Sequence, residues 1–207
     1  MPANKGSDWD RHWKSMETLR TFYEKIQSKQ FKMYRDLIGK RLNTKSKVLE
    51  LGGGTGGLSV RFLDYYKCNC TIIDNSCEAK KFFDKSFANK KLQYKRMDAF
   101  RLKEKNKYDL VFSDGLIEHF EGKTQEKLIQ VHKNSAKKNG FVILVVPRKS
   151  KRYKVITKTM KALRLWNLGF EKPYSLQDLK ILCKENGLKV IKSARGFWEI
   201  GVLCSKK

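Results

Sequence analysis

The chain has 207 residues, 40% of them hydrophobic, which is enough for one α/β domain with a complete core. It lacks any uninterrupted apolar run of about eighteen residues, which excludes a membrane-spanning helix. A formal net charge of +25, with 14 basic and 4 acidic side chains in residues 151–207 alone, directs attention to anionic partners.

Residues 1–20 are polar and mixed in charge, without the apolar stretch of a secretory leader. The five cysteines, Cys68, Cys70, Cys77, Cys183 and Cys204, form no C-x-x-C set and fit a reducing cytoplasm. Cys68 and Cys70 share one face of an expected strand without companion ligands, so they read as buried thiols and no metal site is expected.

Residues 8–42 place Trp9, Trp13, Met16, Leu19, Phe22 and Tyr23, then Phe31, Tyr34, Leu37, Ile38 and Leu42, at helical steps. Trp9, His12 and Trp13 share a face that either packs this helix onto the domain or forms a flap over a ligand. From Ser46 onward strands and helices alternate. Expected strands are Val48–Leu51, Asn69–Ile73, Leu92–Arg96, Tyr108–Ser113 and the apolar run Phe141–Val146. Helices are expected over 57–66, 77–88 and 116–137, the last stopped by Gly140. Beyond Pro147, Tyr153, Ile156, Met160, Leu163 and Trp166 share a helical face. Ser175 caps a helix running to Asn186, and 188–194 with 197–204 form a closing antiparallel pair. The pattern predicts a Rossmann-like doubly wound sheet of seven strands, mostly parallel with one antiparallel strand in the C-terminal hairpin. It is a single domain: a helical cap over 1–44, a ligand-binding core over 46–147, and substrate-side helices with the closing strand pair over 148–207.

The densest signal is Val48-Leu49-Glu50-Leu51-Gly52-Gly53-Gly54-Thr55-Gly56-Gly57-Leu58, read as strand, tight turn and helix. Glycine is needed where the backbone takes positive φ or approaches a ligand closely. Taken alone, the turn also fits a dinucleotide site or a merely flexible loop. Asp74 and Asp98 stand at the ends of the next two strands, on the same sheet edge. Asp74 suits the paired hydroxyls of a ribose, and Asp98-Ala99 can border an adenine. Glu50 beside the turn suits a ligand with an ammonium group better than a pyrophosphate.

Glu50-Leu51-Gly52-Gly53-Gly54-Thr55-Gly56, Asp74, Asp98-Ala99 and Tyr108–Ser113, in this order over residues 46–147, resemble the class I S-adenosylmethionine-dependent methyltransferases. Asp114-Gly115-Leu116-Ile117-Glu118-His119-Phe120 is similar to the small-molecule branch, including quinone-biosynthesis enzymes. The resemblance implies S-adenosylmethionine as donor and S-adenosylhomocysteine as product. It also implies that Glu50, Gly52, Gly54 and Gly56 hold the methionine end and that Asp74 binds the ribose. Asp98 and Ala99 would then border the adenine, and Ser113 would lie by the sulfonium. Asn75 follows Asp74 within reach of the nucleoside. The chain lacks the Asn-Pro-Pro-Tyr or Asp-Pro-Pro-Tyr element that amino-directed nucleic-acid and protein methyltransferases often carry after the fourth strand. It also lacks a Pro-Cys nucleophile.

Where the acceptor must lose a proton, His119 is the candidate general base. Arg148, Lys149, Lys151, Arg152, Lys154, Lys158, Lys161 and Arg164 put eight basic residues and no acid into seventeen positions starting at the ligand edge. The Leu116–Phe120 region and the compact size point to a small molecule as acceptor, methylated on N, O or C, and the basic segment to an anionic one. An RNA acceptor is the alternative, with Tyr153, Trp166, Tyr174, Phe197 and Trp198 as stacking groups. A non-catalytic RNA-binding module is the third reading, disfavoured by the complete set Glu50, Asp74 and Asp98.

Overall fold

Seven strands form one sheet in the order β3-β2-β1-β4-β5-β7-β6. The computed structural model describes residues 6–16, 20–162 and 169–206. Leu19, Leu163, Arg164 and Trp166, and the side chains of Met16, Phe22 and Tyr23, lie outside the described residues.

Two helices lead, α1 (Gly6–Met16) and α2 (Arg20–Ile38), followed by β1 (Lys47–Leu51), α3 (Gly57–Tyr66), β2 (Asn69–Asp74), α4 (Cys77–Phe87) and β3 (Gln93–Arg96). Then come β4 (Tyr108–Asp114), α5 (Gly122–Ser135), β5 (Ala136–Pro147), α6 (Lys151–Ala162), α7 (Leu176–Glu185), β6 (Leu188–Arg195) and β7 (Glu199–Lys206). Strands β1 to β5 pair in parallel, while β7 runs antiparallel to both β5 and β6. The chain therefore reverses its winding between β1 and β4, and the ligand crevice of such a sheet lies at that reversal.

The apolar runs set the layers. On one face, Leu49, Leu51, Val111, Val142 and Leu144 meet α5 and α7 through Leu128, Ile129, Leu179 and Cys183. On the other, Val48, Leu110, Phe112, Ile143 and Val145 meet α2 and α3 through Tyr34, Leu37, Leu58 and Phe62. Burial on both faces is why the central strands read as continuous apolar runs. Helix α7 begins as expected: Ser175 Oγ accepts from the Asp178 amide, and the Asp178 carboxylate accepts in return.

Two local expectations are corrected. The helix expected over 116–137 is divided into a 3-10 turn, Ile117–His119, and α5 starting only at Gly122, whose φ of +54° breaks the register. Gly140 lies inside β5 instead of ending a helix. The β4/β5 pairing jumps from Tyr108–Ala136 to Leu110–Phe141, and a Cβ at Gly140 would stand 2.8 Å from the Tyr108 carbonyl oxygen. The glycine marks a bulge with close backbone approach. Cys68 and Cys70 are buried thiols with their sulfurs 3.6 Å apart. Among the described residues no helix is long and apolar enough to cross a membrane.

Candidate active site

The turn after β1 is built as its glycines demand. Gly52, Gly54 and Gly56 have φ of +66°, +52° and +77°, a region L side chains enter at a cost. The Gly52 and Gly53 amides both donate to the Ile73 carbonyl, tying the turn to β2. A Cβ on Gly52 would meet the Leu116 side chain at 2.7 Å, so the turn lies against the segment that follows β4. A Cβ on Gly54 would meet Trp13 at 2.2 Å, so α1 lies across the mouth of the turn.

The strand-end acids gather where the sequence expects them. Glu50 is buried, and its Oε2 accepts from the Ser59 amide at 3.2 Å and the Ser59 hydroxyl at 2.6 Å. It therefore braces α3 against the turn. Burial pushes its pKa from 4.5 up to about 8 despite the Ser59 bonds. Asp74 joins the two halves of the crevice: Oδ2 accepts from the Gly54 amide and Oδ1 from the Ser76 amide, each at 2.8 Å. Asn75 beside it is exposed. Asp98 caps the short 3-10 turn Ala99–Arg101 by accepting from the Phe100 amide. Asp98 and Ala99 are half-buried, with Ala99 packed against the core. Ser113 is wholly buried, and its Oγ has no partner among the described residues. The strand-end carboxylates Glu50 and Asp74 on either side of the turn, with this unpartnered hydroxyl, suit a nucleoside with an amino-acid tail.

Helix α1 covers both halves of the crevice. Asp10 accepts from the Ser76 hydroxyl at 2.5 Å and from the Glu78 amide at 3.2 Å, holding α1 on the start of α4. Trp9 packs edge-on against His119, with ring centroids 5.0 Å apart. His119 is buried, and its Nδ1 lies 2.6 Å from the Phe170 carbonyl oxygen. A carbonyl only accepts, so Nδ1 carries the proton and Nε2 is the basic nitrogen of the neutral ring. His12, buried next to it, is pushed down to about 4, first by burial and then by His119.

A second group of acids escaped the sequence reading. Asp114, at the end of β4, accepts from Gln30 Nε2 at 2.9 Å and from the Tyr34 hydroxyl at 2.7 Å. The same Gln30 amide donates to Glu199, the first residue of β7, at 2.9 Å. Glu118 is 0% exposed, and neither carboxylate oxygen has a partner among the described residues. Glu171 accepts from the Tyr153 hydroxyl. One donor atom each of Glu118, His119 and Glu171 lie within 4.8 Å of one another. Burial raises the pKa of Asp114, Glu118 and Glu199, and mutual repulsion adds to Glu118 and Glu199. The local hint was Glu118 beside His119. Glu199 joins only because β7 inserts beside β5, pairing Pro147 with Glu199.

The basic segment starts beside this cluster. Arg148 donates its amide to the Trp198 carbonyl, and its buried Nε has no partner among the described residues. On α6, Tyr153 is buried, Ile156 and Met160 are half-buried, and Lys151, Lys154, Lys158 and Lys161 are exposed. Of the expected stacking groups, Tyr153 and Tyr174 are buried. Phe197 is 56% exposed and lies under the Arg152 guanidinium.

Known proteins bear on this geometry as follows. No curated protein matches the sequence. One structural neighbour is a chain of the complex between the Haloferax volcanii Trm112 methyltransferase activator and its methyltransferase. It has a TM-score of 0.72 and 10% identity, over 93% of this chain and 96% of that one. The magnesium protoporphyrin IX methyltransferase of Synechocystis, solved with S-adenosylhomocysteine, gives 0.67 and 16% over 97% and 94%. Geranyl diphosphate C-methyltransferase of Streptomyces coelicolor, solved with Mg2+, geranyl diphosphate and S-adenosylhomocysteine, gives 0.69 and 10% over 88% and 80%. At these identities the likeness is one of fold. The family model described as "Methyltransferase domain" matches residues 23–193, and the chain belongs to that family.

Proposed function

We propose that the protein is an S-adenosylmethionine-dependent methyltransferase acting on a small molecule that carries an anionic group. The donor assignment draws on the family, on neighbours solved with S-adenosylhomocysteine, and on the glycine turn with its strand-end acids. When bound, this donor supplies an electrophilic methyl on a sulfonium. The chain's own residues do the rest. The positive-φ glycines admit the methionine end, Asp74 takes the ribose hydroxyls while keeping Gly54 in place, and Asp98 with Ala99 borders the adenine. Ser113 faces the reacting centre. His119, its Nδ1 proton fixed by the Phe170 carbonyl, offers Nε2 as a base to an acceptor that must lose a proton.

The cover carries the small-molecule reading. Helix α1 reaches both the donor side, through Trp13 on Gly54, and the acceptor side, through Trp9 on His119. The segment after α6 straps the same wall, with the Lys172 amide donating to the Glu118 carbonyl. A wall closed this way excludes water and aligns two small reactants. The buried Nε of Arg148 and the exposed lysines of α6 favour an anionic group at the mouth.

Charge keeps RNA as the second reading. Filter binding of bulk tRNA and rRNA at two salt concentrations separates the two: absence of binding at physiological salt removes RNA, while tight, steeply salt-dependent binding favours it. Tritium from methyl-labelled donor should enter the small-molecule fraction of a cell extract. Label confined to RNA would overturn the small-molecule reading.

A further inference from the structure

We infer that the atom methylated is an amine nitrogen, received as an ammonium by Glu118 and the carboxylates of Asp114, Glu171 and Glu199. The inference rests on the methyltransferase reading above and specifies its acceptor.

Four acids stand on one wall of a protein that carries +25 overall. No lysine or arginine pairs with Asp114, Glu118 or Glu199 among the described residues. Asp114 and Glu199 are joined by a neutral amide, Gln30, although the chain has 46 basic residues to draw on. Glu118 is the sharpest case, with both oxygens buried and without a partner among the described residues. Gly115 leaves room beside it: a Cβ there would sit 3.5 Å from Glu118 Oε1. An unmet buried carboxylate costs free energy, and that cost is recovered when a ligand donates hydrogen bonds to it. An ammonium brings three donors and a positive charge.

The position is right for chemistry. Leu116 packs on Gly52 at the donor turn, and Glu118 follows two residues later on the same 3-10 turn as His119. Trp9 stands edge-on to His119 beside the cluster, and the Tyr153 hydroxyl donates to Glu171. In the step itself, the ammonium held by Glu118 gives one proton to His119 Nε2, leaving a neutral amine. The nitrogen lone pair then forms the N–C bond as the methyl's C–S bond breaks, its electron pair remaining on sulfur. The methylated nitrogen emerges as an ammonium, and the proton on His119 returns to solvent.

Sinefungin tests this directly, because a carbon bearing an ammonium replaces the sulfonium and its methyl. By calorimetry, sinefungin should bind the wild-type protein roughly tenfold or more tightly than S-adenosylhomocysteine. Glu118→Gln should bring the two within about twofold by removing one charge-assisted bond, while leaving S-adenosylhomocysteine binding unchanged. Equal binding of the two ligands to the wild type overturns the amine reading alone. Failure of both to bind overturns the donor assignment beneath it. Titration of the apoprotein with Mg2+, Mn2+ and Zn2+ is the control: tight binding lost in Glu118→Gln would make the cluster a metal site and overturn the inference. Should Glu118→Gln fold poorly, the wild-type protein decides through labelled transfer. Label must enter pooled primary amines, and label in matched alcohols or carboxylic acids contradicts the assignment.

Discussion

Trp13 lies on Gly54, its ring 2.2 Å from the position a Cβ would occupy. The glycine is therefore required twice, for its φ of +52° and for the ring above it. Gly54→Ala should cost about 1–2 kcal/mol in backbone strain alone, and more from the clash. That corresponds to a melting temperature lower by at least about 2–4 °C for a domain this size. In the double variant with Trp13→Ala the steric part should return and the strain part persist. Thermal melts of the four proteins in this cycle check it.

Asp74 holds the Gly54 and Ser76 amides and is the proposed ribose contact. Asp74→Ala should weaken S-adenosylhomocysteine binding by about 1–3 kcal/mol, or roughly five- to 150-fold, measured by calorimetry. Asn75→Ala, at an exposed neighbour, should change it far less.

The buried acids give stability a defined pH dependence. Glu50 has its pKa raised from 4.5 to about 8, so the native state holds a proton that the unfolded chain releases. Its contribution therefore falls as pH climbs from 4.5 through 8, by at most about 1.4 kcal/mol per pH unit. His12 and His132, pushed down from 6.5 to about 4, act in the opposite sense only below pH 6.5. Between pH 6.5 and 8 the carboxylates decide, and the apoprotein should lose stability. Glu50→Gln keeps an acceptor for Ser59 and should flatten that slope in chemical denaturation at each pH.

His119→Ala should lower kcat by about 10²- to 10⁴-fold, the usual contribution of a positioned base. Binding of S-adenosylhomocysteine should stay unchanged. Turnover equal to that of the wild type would reduce His119 to a packing partner of Trp9.

Local patterns carried much of this site. Glu50, the glycines, Asp74 and Asp98 each sit at the end of their own strand, so apolar runs and punctuation suffice to find them. The acceptor wall was hidden because it is tertiary. Asp114 and Glu199 meet only through Gln30 of α2 and the antiparallel insertion of β7, and Glu171 comes from the strap beyond α6. The division of the expected 116–137 helix had a visible signal in Gly115 and Gly122, both at positive φ. Helical periodicity outweighed it. The positive charge of 148–164 pointed to an anion, while Glu118, Asp114 and Glu199 line the deeper part of the crevice with carboxyl groups.

Calorimetry of the purified protein with S-adenosylmethionine and S-adenosylhomocysteine tests the central claim most directly. The account predicts saturable binding of both, weakened together by Asp74→Ala and by Gly54→Ala. Absence of binding by either ligand to the folded wild-type protein would contradict it.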